Sequence, residues 1–256
     1  HKEYRRQRQM CIRDSTTTGL VQTADKFDGG GGTDTILISN TAGGTSFDFT
    51  SAGTTSSTGF LNMEAITFNN TTGTTTATFS ASQFSSSRIS LSSLTGAAGT
   101  QRLIISGASS LDLGSLQSFT SWQAADTVEI YGLAQNNDIT IIGTGTSDVI
   151  LPNLTAGTAA TSARTYSLKG GGGVDTFYLP LKSAICSITN ATATDNSGSV
   201  SGMYTITDFT PSASLAAGES IRAFAATATA GTIPTTTAIT LATNAGWTTG
   251  TTGTLK

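Results

Sequence analysis

The chain has 256 residues, of which 11% are charged and 7% aromatic, and threonine alone supplies 50 of them. This is not the charge-rich, apolar-poor profile of a disordered chain, and alanine apart, strong helix formers are scarce. The one histidine is His1 and the two cysteines are Cys11 and Cys186. A Ser-His-Asp triad, a zinc-protease helix, a cysteine zinc site and a disulfide framework are therefore excluded from the body of the chain, and no apolar run of membrane-spanning length occurs in it.

Residues 1–15 differ from all that follows. Five of the 13 Lys and Arg residues lie there, with Glu3 and Asp14. The rest of the chain thus carries 8 positive and 14 negative charges, a net of −6 against −3 for the whole. A basic arm suits nucleic acid or anionic lipid, but no apolar segment follows it as a signal peptide requires. Met10–Ser15 resembles a translated sequencing adapter, so residues 1–15 are read as a non-native segment, and neither a nucleic-acid partner nor a membrane span is expected.

From Thr16 onward, short apolar or alternating runs are punctuated by Gly, Ser, Thr and Asn. In chain order the predicted strands are Thr35–Ser39, Ala65–Phe68, Ala77–Phe79, Arg88–Leu91, Arg102–Ile105, Thr127–Tyr131, Asp138–Ile142 and Asp148–Leu151. Thr165–Leu168, Thr176–Leu179, Ile185–Ile188, Met203–Ile206 and Ala238–Leu241 follow. Many are β-branched and four to six residues long, the pattern of an all-β chain. Few aromatics and abundant Ser and Thr favour a parallel β-solenoid or β-roll over a sandwich, because a stack of short strands buries a few aliphatics per turn and exposes hydroxyls. The expected organisation is a Thr/Ser-rich solenoid over 16–160, a second β region over 161–230, and a low-complexity end over 231–256, read as truncated.

Two near-copies stand out: Gly29-Gly30-Gly31-Gly32-Thr33-Asp34-Thr35-Ile36 and Gly170-Gly171-Gly172-Gly173-Val174-Asp175-Thr176-Phe177. Both fit G-G-x-G-x-D-x-U-x, with U a large apolar residue. Glycines permit tight, partly left-handed turns. Such turns can aim carbonyl oxygens at one point, and the Asp adds a charged oxygen, a donor type suited to calcium. Asp25-Lys26-Phe27 supplies half of a preceding copy nine residues before Asp34, whereas Tyr166 stands nine residues before Asp175. Gly143–Ile150 is a degenerate copy that keeps Asp148 and is read as a turn with no need of metal. Ala125-Asp126-Thr127-Val128 is weaker still.

These nonapeptides resemble the RTX repeats of proteins exported by bacterial type I secretion. The resemblance implies a parallel β-roll, a secreted or cell-surface location, and calcium held by Gly29, Gly30, Gly32 and Asp34 with Asp25, and by Gly170, Gly171, Gly173 and Asp175. A further likeness covers Ile206-Thr207-Asp208-Phe209 and Gly218-Glu219-Ser220-Ile221. RTX C-terminal regions, including those of serralysin-like metalloproteases, follow a glycine nonapeptide with I-x-D-F and G-D-x-I segments, although Glu219 departs from that pattern.

Competing readings of the same residues are blander. A tetraglycine can be a linker, but a linker does not repeat the same order twice before a strand. A dinucleotide loop needs a following helix. Asp25, Asp28 and Asp34 are read as turn carboxylates and not as a glycosidase pair. Trp122 and Trp247 are assigned to packing, and Cys186 to a small apolar position. The expected function is a non-catalytic, secreted, calcium-ordered structural segment. Self-association or cell-surface polysaccharide are further partners to consider. The alternatives are a calcium-independent adhesin or surface-layer scaffold, and the non-catalytic tail of an RTX protease, lipase or lyase.

Overall fold

The computed structural model describes residues 9–13, 25–39, 44–54, 58–133, 138–152, 165–180, 203–209, 219–224 and 228–235. Among them are eighteen strands and one 3-10 turn, Ala81–Gln83. The expected strands Ile185–Ile188 and Ala238–Leu241 lie outside the described residues. The all-β expectation holds, and the strands stack in parallel as a β-solenoid. The chain divides into two units, residues 1–105 with 115–128, and residues 106–114 with 129–256.

The first unit contains β1 (Gln9–Arg13), β2 (Lys26–Asp28), β3 (Thr35–Ser39), β4 (Ser46–Asp48), β5 (Gly59–Leu61), β6 (Met63–Asn69), β7 (Thr74–Ser80) and β8 (Ile89–Thr95). The strand β9 (Thr100–Ala108) begins in it, β10 (Ser110–Asp112) belongs to the second unit, and β11 (Ser118–Thr120) returns to the first. One sheet runs β1-β3-β6-β8-β11. Thr35 pairs with Ala65, Ala65 with Ser93 and Ser93 with Ser118. The Gln9–Arg13 segment, set aside on sequence grounds, forms the strand beside β3. Two further parallel pairs are β2-β5 and β4-β7.

Each coil places one apolar residue above the last. Ile36, Ile66 and Leu94 form a buried column, and Ile38 stacks on Phe68. At another corner Phe60 lies 5.3 Å from Phe27, 5.8 Å from Phe49 and 5.7 Å from Phe79, ring to ring. Buried Arg88 closes this corner, its Nη1 donating to the carbonyls of Gly53, Thr58 and Phe60. The buried Gln83 side chain donates to Phe49 O at 2.7 Å. These groups satisfy corner carbonyls that the ladders do not reach, as burial requires.

The second unit contains β10, most of β12 (Thr127–Gly132), β13 (Ile139–Ile142), β14 (Asp148–Leu151), β15 (Thr165–Lys169), β16 (Thr176–Pro180), β17 (Met203–Ile206) and β18 (Ser220–Phe224). Its sheets run β10-β13-β15-β17 and β12-β14-β16-β18. Leu111, Ile141, Leu168 and Ile206 form an unbroken aliphatic ladder, all buried. Each contributes roughly 1.5–3 kcal/mol of transfer free energy.

The coils are long. Equivalent residues lie 25 apart at Gln101 and Asp126, 27 apart at Asp148 and Asp175, and 44 apart at Thr176 and Ser220. Asp25 therefore does not stack on Asp34: the strand that follows it, β2, pairs with β5, and Asp25 O accepts the Gly59 N–H. Nine residues are one corner of a coil.

Phe60 carries the aromatic corner, so Phe60→Ala should destabilise the chain by about 3–5 kcal/mol. Urea unfolding followed by far-UV circular dichroism should show that loss as a lower midpoint.

Candidate functional site: the glycine turns and their carboxylates

The two nonapeptides adopt one backbone pattern. In each, the second and fourth glycines have positive φ: 85° and 122° at Gly30 and Gly32, 102° and 95° at Gly171 and Gly173. Left-handed conformations of this kind are strained for residues with a β-carbon. Each turn then delivers its Asp to the position just before a strand, Asp34 before β3 and Asp175 before β16. Both carboxylates are buried.

What they do there is repeated along the stack. A carboxylate just before one strand, or within its first two residues, accepts the N–H of the equivalent residue one coil earlier. Asp148 N–H donates to Asp175 Oδ1 at 2.8 Å, and Gln101 N–H to Asp126 Oδ1 at 2.8 Å. Asp34 N–H donates to Glu64 Oε2 at 2.8 Å. Asp126 also takes the Gln123 N–H on its other oxygen at 2.6 Å. An N–H at the start of a buried strand must find an acceptor, and an ionised acceptor gives the stronger bond.

The degenerate copy lies under the second nonapeptide. Gly172 N–H donates to Thr144 O at 2.8 Å, and Val174 N–H to Ser147 Oγ at 2.8 Å. Asp148 accepts the Thr144 N–H on Oδ2 at 2.6 Å and its hydroxyl on Oδ1 at 3.1 Å. The carboxylate in register with Asp175 is thus Asp148, 27 residues back, and Tyr166 belongs to a different sheet.

The C-terminal segments complete this turn. Asp208 accepts the Gly170 N–H at 2.9 Å and the Gly171 N–H at 2.8 Å, one on each oxygen. The Phe209 ring lies 6.4 Å from that of Phe177. Ser220 pairs with Thr176, and its N–H donates to Asp175 O. The nonapeptide, the I-x-D-F segment and the residues around Glu219 therefore meet in one place. Gly218 lies outside the described residues. At the first turn Asp28 plays a related part, accepting the Gly30 N–H at 3.1 Å and Asn62 Nδ2 at 2.8 Å. The bond from Asn62, followed by contact with Lys26, holds the Asp28 carboxyl below its ordinary range.

Asp175 has a further feature at the second turn. Its Oδ2 is buried and has no hydrogen-bond partner. It lies against Gly170, where a β-carbon would overlap the carboxylate. Burial raises Asp175 to about 7, opposed by the Asp148 N–H and reinforced by the charges of Glu219 and Asp208. Burial likewise holds Asp148 well above the ordinary carboxylate range, with the charge of Asp175 adding to it. A cation beside Oδ2 would supply the missing partner and offset the repulsion. Oδ2 of Asp175 is one oxygen donor of the kind a hard cation uses, whereas Asp148 and Asp208 already accept N–H or O–H donors on both of theirs. Among the described residues, no group of three or more His, Cys, Asp or Glu side chains is arranged to hold a metal.

Sequence reasoning missed Glu64 and assigned no role to Asp126 or Asp208. The signal was an acidic residue just before a strand at Asp126, or at its second residue at Glu64, one coil beyond its partner. No protein-family model, curated protein or solved structure matches the chain. Among the described residues, no helix is long and apolar enough to cross a membrane.

Asp208→Ala leaves two glycine N–H groups without their acceptor. It should cost about 1.5–3 kcal/mol per bond lost, with faster hydrogen exchange at Gly170 and Gly171 as the local readout. A second expectation concerns pH. The folded-state value of Asp175, about 7, lies above its ordinary 3.8, so between these limits the native state holds a proton that the unfolded state has released. In chelated buffer, stability should fall as pH rises from about 4 to 7 and then level off. Asp148 pulls in the same direction, and Asp175→Asn should flatten the slope in a series of melting curves.

Proposed function

We propose that this chain is a non-catalytic, secreted structural β-solenoid segment in which calcium completes the second glycine turn. The observation that carries the reading is the buried, unpartnered Oδ2 of Asp175 in an acidic neighbourhood. The resemblance of Gly170–Asp175 to an RTX nonapeptide supports it, and so does the net charge of −6 outside residues 1–15. Bound there, calcium would supply a hard positive centre for oxygen donors.

The chain's own residues do the remaining work. Gly171 and Gly173 turn the backbone, Gly170 leaves room for the carboxylate, and Asp208 ties the turn to β17. Asp175 takes the Asp148 N–H and keeps one oxygen for the ion. On this reading ion binding is coupled to the ordering of the turn, so calcium contributes folding free energy and displaces a proton from Asp175. Export into a calcium-rich exterior then favours the folded state.

A second reading rests on the carboxylates as N–H acceptors. Glu64, Asp126 and Asp148 accept protein donors and need no metal to do so, which is what a calcium-independent adhesin or surface-layer scaffold requires.

Melting curves of the full chain in calcium, magnesium and chelator separate the two. The calcium reading expects a rise in Tm with calcium, growing with its concentration, and loss of that rise in Asp175→Asn. Equal Tm in calcium and chelator overturns it and leaves the passive scaffold.

A further inference from the structure

On strands β3, β6, β8 and β11 of the sheet β1-β3-β6-β8-β11, the outer face carries six hydroxyl side chains in two columns. Alternate residues of these strands point into the core, Ile36, Ile66 and Leu94 among them, and the residues between them point out. Eight of the outward residues fall into two columns, and Ser39 pairs with Asn69 in a third. Thr67, Thr95 and Thr120 follow Leu37 in one, and Thr35, Ser93 and Ser118 flank Ala65 in the other. From Ala65 onward the pairing of β6 with β8 continues without a shift. Parallel strands lie about 4.8 Å apart and alternate residues about 6.6 Å apart along each strand. The six hydroxyls therefore fall on a nearly rectangular lattice, interrupted at Leu37 and at the buried Ala65.

Three properties of this lattice limit what it fits. None of the eight outward positions is charged, so the face lacks the long, strongly hydrated side chains that keep water liquid-like. The threonine side chains are β-branched and stiff at χ1, which fixes each hydroxyl and each methyl relative to its neighbours. None of the eight is aromatic either, so a sugar ring would find no platform to stack on. An uncharged array of hydroxyl and methyl groups, repeating at about 4.8 Å across the strands and about 6.6 Å along them, is suited to ordering a layer of water.

We propose that this face holds a lattice-like layer of water and adsorbs to ice. The proposal is independent of calcium at Asp175, which belongs to the second unit. The corresponding face of β10-β13-β15-β17 carries Thr140 in a similar hydroxyl column but has exposed Asp112 and Lys169 beside it. That charged neighbour column makes it the internal control.

The test uses the full chain in calcium-containing buffer, with ice crystals grown under a nanolitre osmometer and recrystallisation followed in parallel. The wild type should facet growing crystals and hold them over a freezing gap. Thr95→Tyr, in the middle of the grid, should lose both effects with its circular dichroism unchanged, while Thr140→Tyr should keep them. If Thr95→Tyr fails to fold, Thr120→Tyr on the exposed strand β11 takes its place. Round, unshaped crystals with the wild type overturn the proposal, and so does equal loss in Thr95→Tyr and Thr140→Tyr. Co-sedimentation with insoluble cellulose is run alongside. Sedimentation lost in Thr95→Tyr, without ice shaping by the wild type, reassigns the face to a polysaccharide. Because calcium dependence is read from Tm and adsorption from crystal shape, failure of one reading is visible without failure of the other.

Discussion

A parallel stack must say where each strand begins, because nothing in a ladder of identical peptide bonds distinguishes one register from the next. Here that constraint is met by a carboxylate just ahead of a strand or, for Glu64, at its second residue, accepting the N–H at the same position one coil earlier. Asp148 to Asp175, Gln101 to Asp126 and Asp34 to Glu64 are three instances of the same contact. A shift by one residue would bury these charges without their donors and turn Ile36 or Ile150 away from the core. The aliphatic ladders supply most of the burial, and the acidic residues select the register in which that burial occurs.

The same arrangement explains why the glycine turns look like a metal site and also function as a corner. A tetraglycine exposes N–H groups as readily as carbonyls. At the second turn the N–H groups of Gly170 and Gly171 go to Asp208, and the Gly172 N–H goes to Thr144 O. What remains for a cation is the oxygen of Asp175 that no donor reaches. In the proposed reading calcium would complement the inter-coil hydrogen bonds, since the bonds fix the carboxylate in place and burial leaves one of its oxygens in need of a partner.

Much of the fold was legible in the sequence. Thr35–Ser39, Asp148–Leu151 and Met203–Ile206 form strands at the expected bounds, and the longer runs such as Ala65–Phe68 fall inside β6. The strands that were missed are mostly three residues long, such as β2, β4, β5, β10 and β11. Ser46–Asp48 and Ser118–Thr120 show one apolar residue between two polar ones, too short for any period to register. The glycine turns were found because their chemistry is local. The coil length was not, because it depends on which distant segments pair. The nine-residue spacing of Asp25 and Asp34 suggested stacked turns, whereas β2 joins β5 in a sheet of its own. Asp208 illustrates the same limit, since its motif was recognised but its partner, 38 residues away, is a tertiary fact.

Coil length itself varies widely, from 25 residues between Gln101 and Asp126 to 44 between Thr176 and Ser220, while the strands stay paired one to one. In a roll built from nonapeptides every residue of the repeat is committed, and an insertion would propagate through the stack. Here the count between strands is free, because the ends of each strand are anchored by side chains and not by the length of the connection. The corners thus behave as independent slots: material can be added to one coil without its neighbours having to change. A scaffold of this kind can diversify its surface by lengthening connections while keeping a single cross-section of buried columns.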